Sequence, residues 1–490
     1  MSNPGLNGNI GYVDGEVRNG TPGADNATAW RISNSTLNFD EGNNKLTVAG
    51  MISESSITAG SGNDTIICTE GGISNGTVSL GTGNNVYRGN WISGYGDDIF
   101  SGGTLVAMGD GKDTFSVKSI AGDATVDLGA GDDRFTADDL YRGAYLDAGT
   151  GNDVLKVNGS LEGSTINLGE GNNTLNVHVV ESEVPNAWDE EGNPIDGPFV
   201  KSAIFGGSGN DRVTVKSDIT GSEVGLGDGN NTITIDGGIS SAVIAGKTYG
   251  ASISTGVDED SITITATGNN VVTMQGTTIT DKGSENYLTV IATGEDVTAV
   301  ANSKITLAGS NFVDIRATKD ADEAGTAFRN SNLTLSEGGN LVIMEGEVVN
   351  SVITLGKGDR FAMGPAQKAS DTAWFPWYAD PFGVHDDSNF TNSTLNAKTG
   401  WAEVDLQNVI NSNLTFGNYV DTLTIHGDIE GKTLISTGGG GDDVQIRGNL
   451  AAESTLNLGT GDDFLCIRVH ATHGSEIKGS IDGGTPIRFM

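Results

Sequence analysis

Alternating apolar and polar residues run through most of the chain, and glycine-rich turns interrupt the alternation at regular intervals. In the segment Thr125-Val126-Asp127-Leu128, one residue separates Val126 from Leu128, so both side chains lie on one face of an extended strand. A Gly-x-Gly-x-Asp turn follows this strand, and a second alternating run follows the turn. The pattern therefore predicts a strand, a tight corner and another strand.

This unit recurs three times between Leu105 and Val157, and its turn aspartates Asp113, Asp133 and Asp153 are 20 residues apart. A fixed interval of this length is typical of a stacked repeat protein. If each repeat forms one coil, equivalent residues of neighbouring coils lie one strand spacing apart, about 4.8 Å. The turn aspartates are then expected to form a row along one edge of the stack.

A short return segment connects each coil to the next and carries one further apolar residue, such as Ile219 or Ile429. A single inward-pointing residue in this segment implies a third, short face of the coil, in addition to the two strands that flank the turn. We therefore predict an all-β fold, a single-stack parallel β-helix (β-solenoid) with coils of about 20 residues. Its Gly-x-Gly-x-Asp/Asn turns should lie on one edge.

Two stretches break this rhythm and are predicted to be inserted loops, at residues 180–200 and 364–390. Residues 1–33 fit the repeat poorly and are predicted to form an N-terminal cap or a segment that connects subunits. Residues 34–490 are assigned to the solenoid. The second insertion concentrates aromatic residues, which either contact a carbohydrate or another subunit or pack back onto the solenoid. These residues are Trp374, Phe375, Trp377, Tyr378 and Phe382.

The charge balance restricts the partners of the chain. It contains 64 acidic and 27 basic residues, which gives a formal net charge of −37. Nucleic acid is not an expected partner, because its binding depends on lysine and arginine meeting phosphates. Carboxylates stacked along one edge repel each other unless cations lie among them. No apolar run is long enough to predict a membrane span, and the first residues lack the basic and apolar segments of a secretory signal.

The acidic turns carry a family resemblance. The segment GGSGNDRVT, from Gly206 to Thr214, matches every fixed position of GGxGxDxUx, the nonapeptide repeat of RTX proteins. Further turns match it without the first glycine. The resemblance implies that Ca²⁺ binds between neighbouring turns, through the sixth-position aspartate and the turn carbonyl oxygens. By position, these aspartates are Asp64, Asp98, Asp113, Asp133, Asp153, Asp211, Asp443 and Asp463.

The chain also departs from the RTX pattern. RTX nonapeptides run in tandem and place calcium turns on both edges of a roll, whereas this chain repeats one such turn about every 20 residues. Calcium is therefore expected along one edge only. Asn85, Asn173 and Asn231 occupy the sixth position of other turns and lack the charge. The alternative interpretation is that Gly-Asp and Gly-Asn turns are favourable corners with stacked side-chain ladders and no metal.

Other candidate functional residues have less support from the sequence than the turn aspartates. Cys68 and Cys466 are interpreted as small core residues, with a link between subunits as the alternative. Cys466, His470 and His473 provide only three soft ligands on an alternating strand, so the histidines are interpreted as surface residues and not as zinc ligands. The sequence contains no Gly-x-Ser-x-Gly or HExxH motif, and we recognise no unrepeated cluster of Lys, Arg, His and acids on one face. We therefore predict no catalytic residues and no enzyme activity.

Together these observations predict an extracellular structural protein, a calcium-stabilised β-solenoid that associates end to end into a filament or surface layer. The RTX resemblance implies export through a C-terminal signal of the type I kind. One alternative is a carbohydrate-binding adhesin that uses the aromatic loop 374–382 to bind a glycan or another cell-surface ligand. The other is a polysaccharide lyase or epimerase, on the fold-level analogy with β-helix enzymes.

Overall fold

The computed structural model describes residues 6–94, 103–183, 186–188, 194–196, 200–244, 247–318, 325–336, 338–364, 388–467, 480–483 and 487–489. The described residues form strands and turns and contain no helix. Strands of successive coils pair in parallel. The predicted all-β parallel β-helix is therefore confirmed.

The chain divides into two compact units. The first comprises Met1–Thr234 with Ser241–Ser254, and the second comprises Ile235–Ser240 with Thr255–Met490. Within each unit a coil has three strands, of which one precedes the turn, one follows it and one lies in the return segment. Ser56–Thr58, Thr65–Cys68 and Ile73–Ser74 form one such coil.

Strands that precede the turn form one continuous face in each unit. In the first unit they are Val17–Asn19, Thr36–Asn38, Ser56–Thr58, Thr77–Ser79, Leu105–Ala107, Thr125–Asp127, Tyr145–Asp147, Thr165–Asn167, Ala203–Phe205, Glu223–Gly225 and Ser252–Ser254. In the second unit they are Thr278–Asp281, Lys304–Leu307, Asn332–Leu335, Val352–Thr354, Thr394–Ala397, Asn413–Phe416, Leu434–Ser436, Thr455–Gly459 and Ser480–Gly483.

Strands that follow the turn form the second face, and some of them run on into the return segment. From the start of the chain they are Gly8–Asp14, Asn26–Ser33, Lys45–Val48, Thr65–Cys68, Val86–Arg88, Thr114–Ser116, Arg134–Ala137, Val154–Glu162, Thr174–Glu181, Arg212–Val215 and Thr232–Ile235. In the second unit they are Ser261–Thr267, Glu285–Thr293, Ser310–Thr318, Leu341–Glu345, Asp359–Met363, Ala402–Leu406, Thr422–Ile425, Asp443–Ile446, Phe464–Ile467 and Ile487–Phe489.

Separate return strands make the third face. In the first unit they are Ile52–Ser53, Ile73–Ser74, Trp91–Ser93, Ser119–Ala121, Asp139–Tyr141 and Ile219–Thr220. In the second unit they are Ile239–Ser240, Val272–Gln275, Thr298–Ala301, Thr326–Arg329, Glu347–Val349, Asn389–Thr391, Asn408–Ile410 and Ile429–Glu430. The single apolar residue predicted to point inward from this segment is fully buried in both examples, Ile219 and Ile429.

Two short antiparallel hairpins interrupt the first unit. Asn186–Trp188 pairs with Pro194–Asp196 inside the predicted insertion 180–200. Ala242–Ile244 pairs with Lys247–Tyr249, and this second hairpin has no counterpart in the sequence prediction. Most of the insertion predicted at residues 364–390 lies outside the described residues. So do its five aromatic residues, Trp374, Phe375, Trp377, Tyr378 and Phe382.

Parallel pairing reaches into the segment that was expected to form a cap. Gly8–Asp14 pairs with Asn26–Ser33, and Val17–Asn19 pairs with Thr36–Asn38, all in parallel. Asn26–Ser33 in turn pairs with Lys45–Val48. Strands of residues 8–33 therefore pair with the coils that follow, and the pairing of Gly8–Asp14 contains two register shifts. The role of residues 1–33 as a cap or connecting segment stays a prediction.

Exact register places like residues above one another in the core. Phe115 pairs with Phe135, and Phe135 pairs with Leu155. The rings of Tyr87 and Phe115 are stacked with their centroids 4.9 Å apart, and those of Phe115 and Phe135 with centroids 5.4 Å apart. These aromatic side chains are fully buried, so they fill the space between three consecutive coils.

The corner before the first strand of each coil is built by an Asn-Ser pair in many coils. Asn302, Asn330 and Asn350 have φ angles of 50°, 49° and 49°. Asparagine tolerates this left-handed conformation better than most residues. The buried serine that follows accepts the backbone N–H of the preceding coil, as Ser351 Oγ does from Ser331 over 3.2 Å. A side-chain ladder thus satisfies backbone groups at this corner.

Removing one ring from the aromatic stack should destabilise the first unit. We expect Phe115→Ala to lower the free energy of unfolding by about 3–5 kcal/mol, because it leaves a cavity between two rings. Urea unfolding followed by circular dichroism measures this loss. Ser116→Ala on the outward side of the same strand is the control, and an equal loss in both variants would contradict the packing account.

Candidate functional site

Sixth-position side chains of the turns form a buried row, which we call the inner row. Each described member in the first unit is at most 4% exposed. The backbone N–H of each member donates to the side-chain Oδ1 of the next member over 2.5–3.0 Å. The members are Asp25, Asn44, Asp64, Asn85, Asp113, Asp133, Asp153, Asn173, Asp211 and Asn231.

Glycine in the turn is required by the close approach of successive coils. Gly131 has a φ of 138°, and a Cβ atom there would lie 1.7 Å from the carbonyl oxygen of Gly111. Gly151, one coil further on, would place a Cβ 1.8 Å from the carbonyl oxygen of Gly131. These distances exclude any side chain. The glycine backbone therefore lets turn carbonyl oxygens approach the neighbouring coil.

Asparagine residues of the inner row form hydrogen bonds through both the oxygen and the nitrogen of the side-chain amide. Asn44 Nδ2 donates to the carbonyl oxygens of Asp40 and Gly42, over 2.9 and 3.1 Å. Asn231 Nδ2 donates to the equivalent carbonyl oxygens of Gly227 and Gly229, over 2.9 and 2.8 Å. Nδ2 of these two asparagines therefore faces carbonyl oxygens of its own turn, whereas Oδ2 of Asp25 accepts the backbone N–H of Thr21 over 2.7 Å.

Aspartate members present an oxygen where asparagine presents an NH₂ group. Within the described part of the chain, the buried Oδ2 atoms of five inner-row aspartates have no hydrogen-bond partner. These residues are Asp64, Asp113, Asp133, Asp153 and Asp211. An ionised carboxylate cannot donate to a carbonyl oxygen, and a buried polar atom without a partner is unfavourable. These positions therefore need either a proton or a cation.

Burial sets the protonation of these carboxyl groups. It raises the pKa of Asp113 and Asp153 to about 7 and that of Asp133 to about 6, against an ordinary value of 3.8. The backbone N–H that donates to Oδ1 opposes this shift, and neighbouring carboxylates add to it. Without a cation, the proton is therefore lost near neutral pH.

Calcium suits the donor set of the inner row. It is a hard cation that prefers carboxylate and carbonyl oxygens, and the aspartate turns contain both kinds of oxygen. Among the residues that the structure describes, no three His, Cys, Asp or Glu side chains converge to hold a metal ion. A cation in the inner row would therefore take most of its protein ligands from turn carbonyl oxygens.

The second unit continues the same arrangement with fewer glycines. The N–H of Asn311 donates to Oδ1 of Asn340 over 2.8 Å, and that of Asn340 donates to Oδ1 of Asp359 over 2.9 Å. Further on, the N–H of Asp421 donates to Asp442 over 2.9 Å. The sequence analysis assigned no row residue near residues 311 and 359. The polar residue immediately before each alternating strand was the signal that it overlooked.

One predicted row position is displaced by a residue. The N–H of Asp442 donates to Oδ1 of Asp463 over 3.0 Å, and Asp442 is 1% exposed. Asp443 instead begins the strand Asp443–Ile446 and is not part of the inner row. Four consecutive glycines, Gly438 to Gly441, allow two alignments of the turn motif. The φ angles of Gly438 and Gly440, 90° and 137°, match the turn that places Asp442 in the row.

The other predicted site residues have these positions. Asp64, Asp113, Asp133, Asp153, Asp211 and Asp463 all lie in the inner row. Asp98 and the aromatic residues of the second insertion lie outside the described residues, as do His470 and His473. Cys68 and Cys466 are free and buried, as expected for small core residues.

A second ladder, which we call the outer row, runs beside the inner row on the surface. It consists of the exposed residue just before each inner-row residue from Asn44 onward. Asn63 N–H donates to Asn43 Oδ1 over 2.7 Å, and Asn84 N–H donates to Asn63 Oδ1 over 2.8 Å. The outer row of the first unit is Asn43, Asn63, Asn84, Lys112, Asp132, Asn152, Asn172, Asn210 and Asn230. Its polar side chains make the turn edge hydrophilic.

The second unit also contains a charged cluster that the sequence analysis did not recognise. Arg360 Nε lies 3.1 Å from Glu403 Oε2, and His426 Nε2 lies 2.8 Å from Asp405 Oδ1. Arg447 Nη1 lies 3.0 Å from His426 Nδ1. The five residues come from four different coils, and the second insertion separates two of these coils in the sequence. Arg360 and Glu403 thus form an ion pair across two coils, and Asp405, His426 and Arg447 approach one another across the coils that follow.

A scan of the chain against protein-family models found no match, and a search of curated proteins found no similar protein. The resemblance to RTX nonapeptides therefore rests on the turn residues themselves. Within the part of the chain that the structure describes, no helix is long and apolar enough to cross a membrane.

The inner row predicts how stability depends on pH in metal-free buffer. Burial raises the folded-state pKa of Asp113, Asp133 and Asp153 above the unfolded value, so the folded chain binds protons more tightly. Their contribution is complete below about pH 4 and is lost as the pH rises through about 6–7. We expect the temperature at the midpoint of thermal unfolding, measured by circular dichroism, to be lower at about pH 7.5 than at about pH 5.

The control is the variant Asp113→Asn, Asp133→Asn, Asp153→Asn. Its amides do not titrate and can donate to the turn carbonyl oxygens, so its midpoint should change less over this pH range. A pH dependence of equal size in the variant would mean that other groups cause it.

Proposed function

We propose that the chain is a structural β-solenoid that is stabilised by Ca²⁺ and acts outside the cell. The observation that carries this proposal is the exchange of Asn and Asp within one buried row. Asparagine satisfies the turn carbonyl oxygens with its own NH₂ group. Oδ2 has no hydrogen-bond partner within the described residues at five aspartates of the first unit, namely Asp64, Asp113, Asp133, Asp153 and Asp211. A calcium ion supplies positive charge that both oxygen types can share.

The residues of the chain would contribute in distinct ways. Oδ1 of each aspartate holds the N–H of the preceding coil, which fixes the orientation of the carboxylate. The glycine carbonyl oxygens lie along the same edge because no side chain separates the coils. Asp113, Asp133 and Asp153 occupy three consecutive coils of the first unit, and Asp421, Asp442 and Asp463 form a second such series in the second unit.

Calcium dependence would also suit a chain that is exported before it folds. A ligand that binds only the folded state stabilises it by about 2.7 kcal/mol at a concentration of 100 times its Kd. Calcium is scarce in the cytoplasm and abundant outside, so folding would follow export, as the RTX resemblance implies. We propose the cell surface or the extracellular medium as the location of the protein.

We further propose that copies of the chain associate end to end into a filament or surface layer. A parallel ladder can be continued by the strand edge of another chain, which supports this form of assembly. The proposed role is mechanical and not catalytic. The carbohydrate-binding alternative at residues 374–382 remains a prediction, because these residues lie outside the described part of the chain.

Calcium titration tests the proposal directly. We expect Ca²⁺ to raise the thermal midpoint of the wild-type chain at about pH 7.5, with a smaller effect of Mg²⁺, because Mg²⁺ gives up its water ligands reluctantly. The triple variant of Asp113, Asp133 and Asp153 to Asn should remain folded and lose a large part of this response.

Asp132→Asn is the matched control. Asp132 lies in the same turn as Asp133, is exposed and forms an ion pair of 2.6 Å with Lys112. This variant should retain the calcium response of the wild type. A wild-type midpoint that is the same with calcium and with chelator would contradict the proposal, as would an undiminished response in the triple variant. Negative-stain microscopy of the wild-type samples would show whether particles lengthen with calcium.

A further inference from the structure

The outer row changes its chemistry in the second unit. Backbone register aligns Gly358 with Trp401, since Asp359 pairs with Ala402. The hydrogen bond from Asn340 to Asp359 likewise aligns Gly339 with Gly358. Two positions that carry Asn, Asp or Lys throughout the outer row of the first unit are therefore glycine here, and the next position is tryptophan.

These glycines make room for the indole ring of Trp401. A Cβ atom at Gly358 would lie 3.3 Å from two ring carbons of Trp401, so the ring lies directly against the glycine backbone. Trp401 remains 43% exposed. On the next coil, Tyr419 and Val420 are 49% and 63% exposed. The edge that is hydrophilic in the first unit thus presents an exposed aromatic surface here.

A shallow depression lies beside the ring. It has a volume of about 500 Å³ and is lined by Gly338, Gly339, Lys357, Gly358 and Trp401. The glycines contribute only backbone to its floor, Trp401 provides a flat apolar wall, and Lys357 is exposed and carries an ammonium group. The volume falls within the range of small-molecule sites, roughly 300–1,000 Å³.

We propose that this depression binds the pyranose ring of a glycan. A pyranose has an apolar face of C–H groups, which suits the face or edge of an exposed indole. It also has a rim of hydroxyl groups, which can donate to backbone carbonyl oxygens and accept from an ammonium group. The site combines these two kinds of surface within one ring's width. It is separate from the inner row and from residues 374–382, so it does not depend on the proposed role of calcium.

A protein partner fits the same surface less well. The glycine floor lacks the side chains that anchor protein interfaces. A backbone-lined floor beside one flat aromatic ring favours a single sugar unit within a longer glycan.

Isothermal titration calorimetry with defined oligosaccharides tests the proposal. The probes are hexasaccharides of glucose, galactose and mannose, with the matching oligomers of glucuronate, galacturonate and mannuronate. Binding of at least one probe is expected, and Trp401→Ala should abolish it. If uronates bind more tightly and Lys357→Gln removes the difference, Lys357 contacts a carboxylate. If neutral and acidic oligomers bind equally, it contacts hydroxyl groups.

Gly339→Asn fills the depression without touching Trp401. A Cβ at Gly339 would meet only the carbonyl oxygen of Gly358, at 3.6 Å, so the variant should fold. It should lose binding while its unfolding midpoint stays at the wild-type value. Trp30→Ala, which removes an exposed tryptophan of the first unit, should bind as the wild type does. The proposal is wrong if no probe binds, or if binding survives in both Trp401→Ala and Gly339→Asn.

Discussion

The structure depends on one interaction at the turn edge, in which a side-chain oxygen of one coil accepts a backbone N–H of its neighbour. Parallel strands satisfy their own backbone groups, but a tight corner leaves N–H groups without strand partners. In the first unit the inner row meets this need from Asp25 to Asn231 without a break. Only Asp and Asn fill this position in the first unit. In the second unit Ala402 occupies it in one coil, where its own N–H still donates to Oδ1 of Asp421 over 2.7 Å.

Asp and Asn are equivalent for that hydrogen bond but differ in their second atom. The second side-chain atom of Asn44 has hydrogen-bond partners, since its NH₂ group donates to two turn carbonyl oxygens. Asp133 places a second oxygen in a buried position, and burial raises its pKa to about 6. A chain that needed only a corner would be served by asparagine throughout. The repeated choice of aspartate in three consecutive coils is the reason for assigning the edge a role beyond folding.

The periodic part of the fold could be predicted from the sequence because each strand is specified locally. The alternation of apolar and polar residues correctly predicted that Val126 and Leu128 lie in the core. The lone apolar residue of the return segment, Ile219, correctly predicted a third face of the solenoid. The position of a turn is harder to predict where a run of glycines allows two alignments of the motif. For this reason the sequence analysis chose Asp443, whereas Asp442 occupies the inner row. Contacts between coils that an insertion separates in the sequence were not predicted. The contact of Trp401 with Gly358 joins residues that the second insertion separates in sequence, and periodicity carries no information about such pairs.

The central claim is that aspartate coils of the inner row hold a cation and asparagine coils do not. A crystal structure of the chain grown with Ca²⁺ tests this most directly. The account predicts calcium ions within about 2.3–2.6 Å of Oδ2 of Asp113, Asp133 and Asp153 and of turn carbonyl oxygens. It predicts no ion at Asn44, whose NH₂ group occupies that space. Ions at Asn and Asp turns alike, or none at the three aspartates, would contradict it.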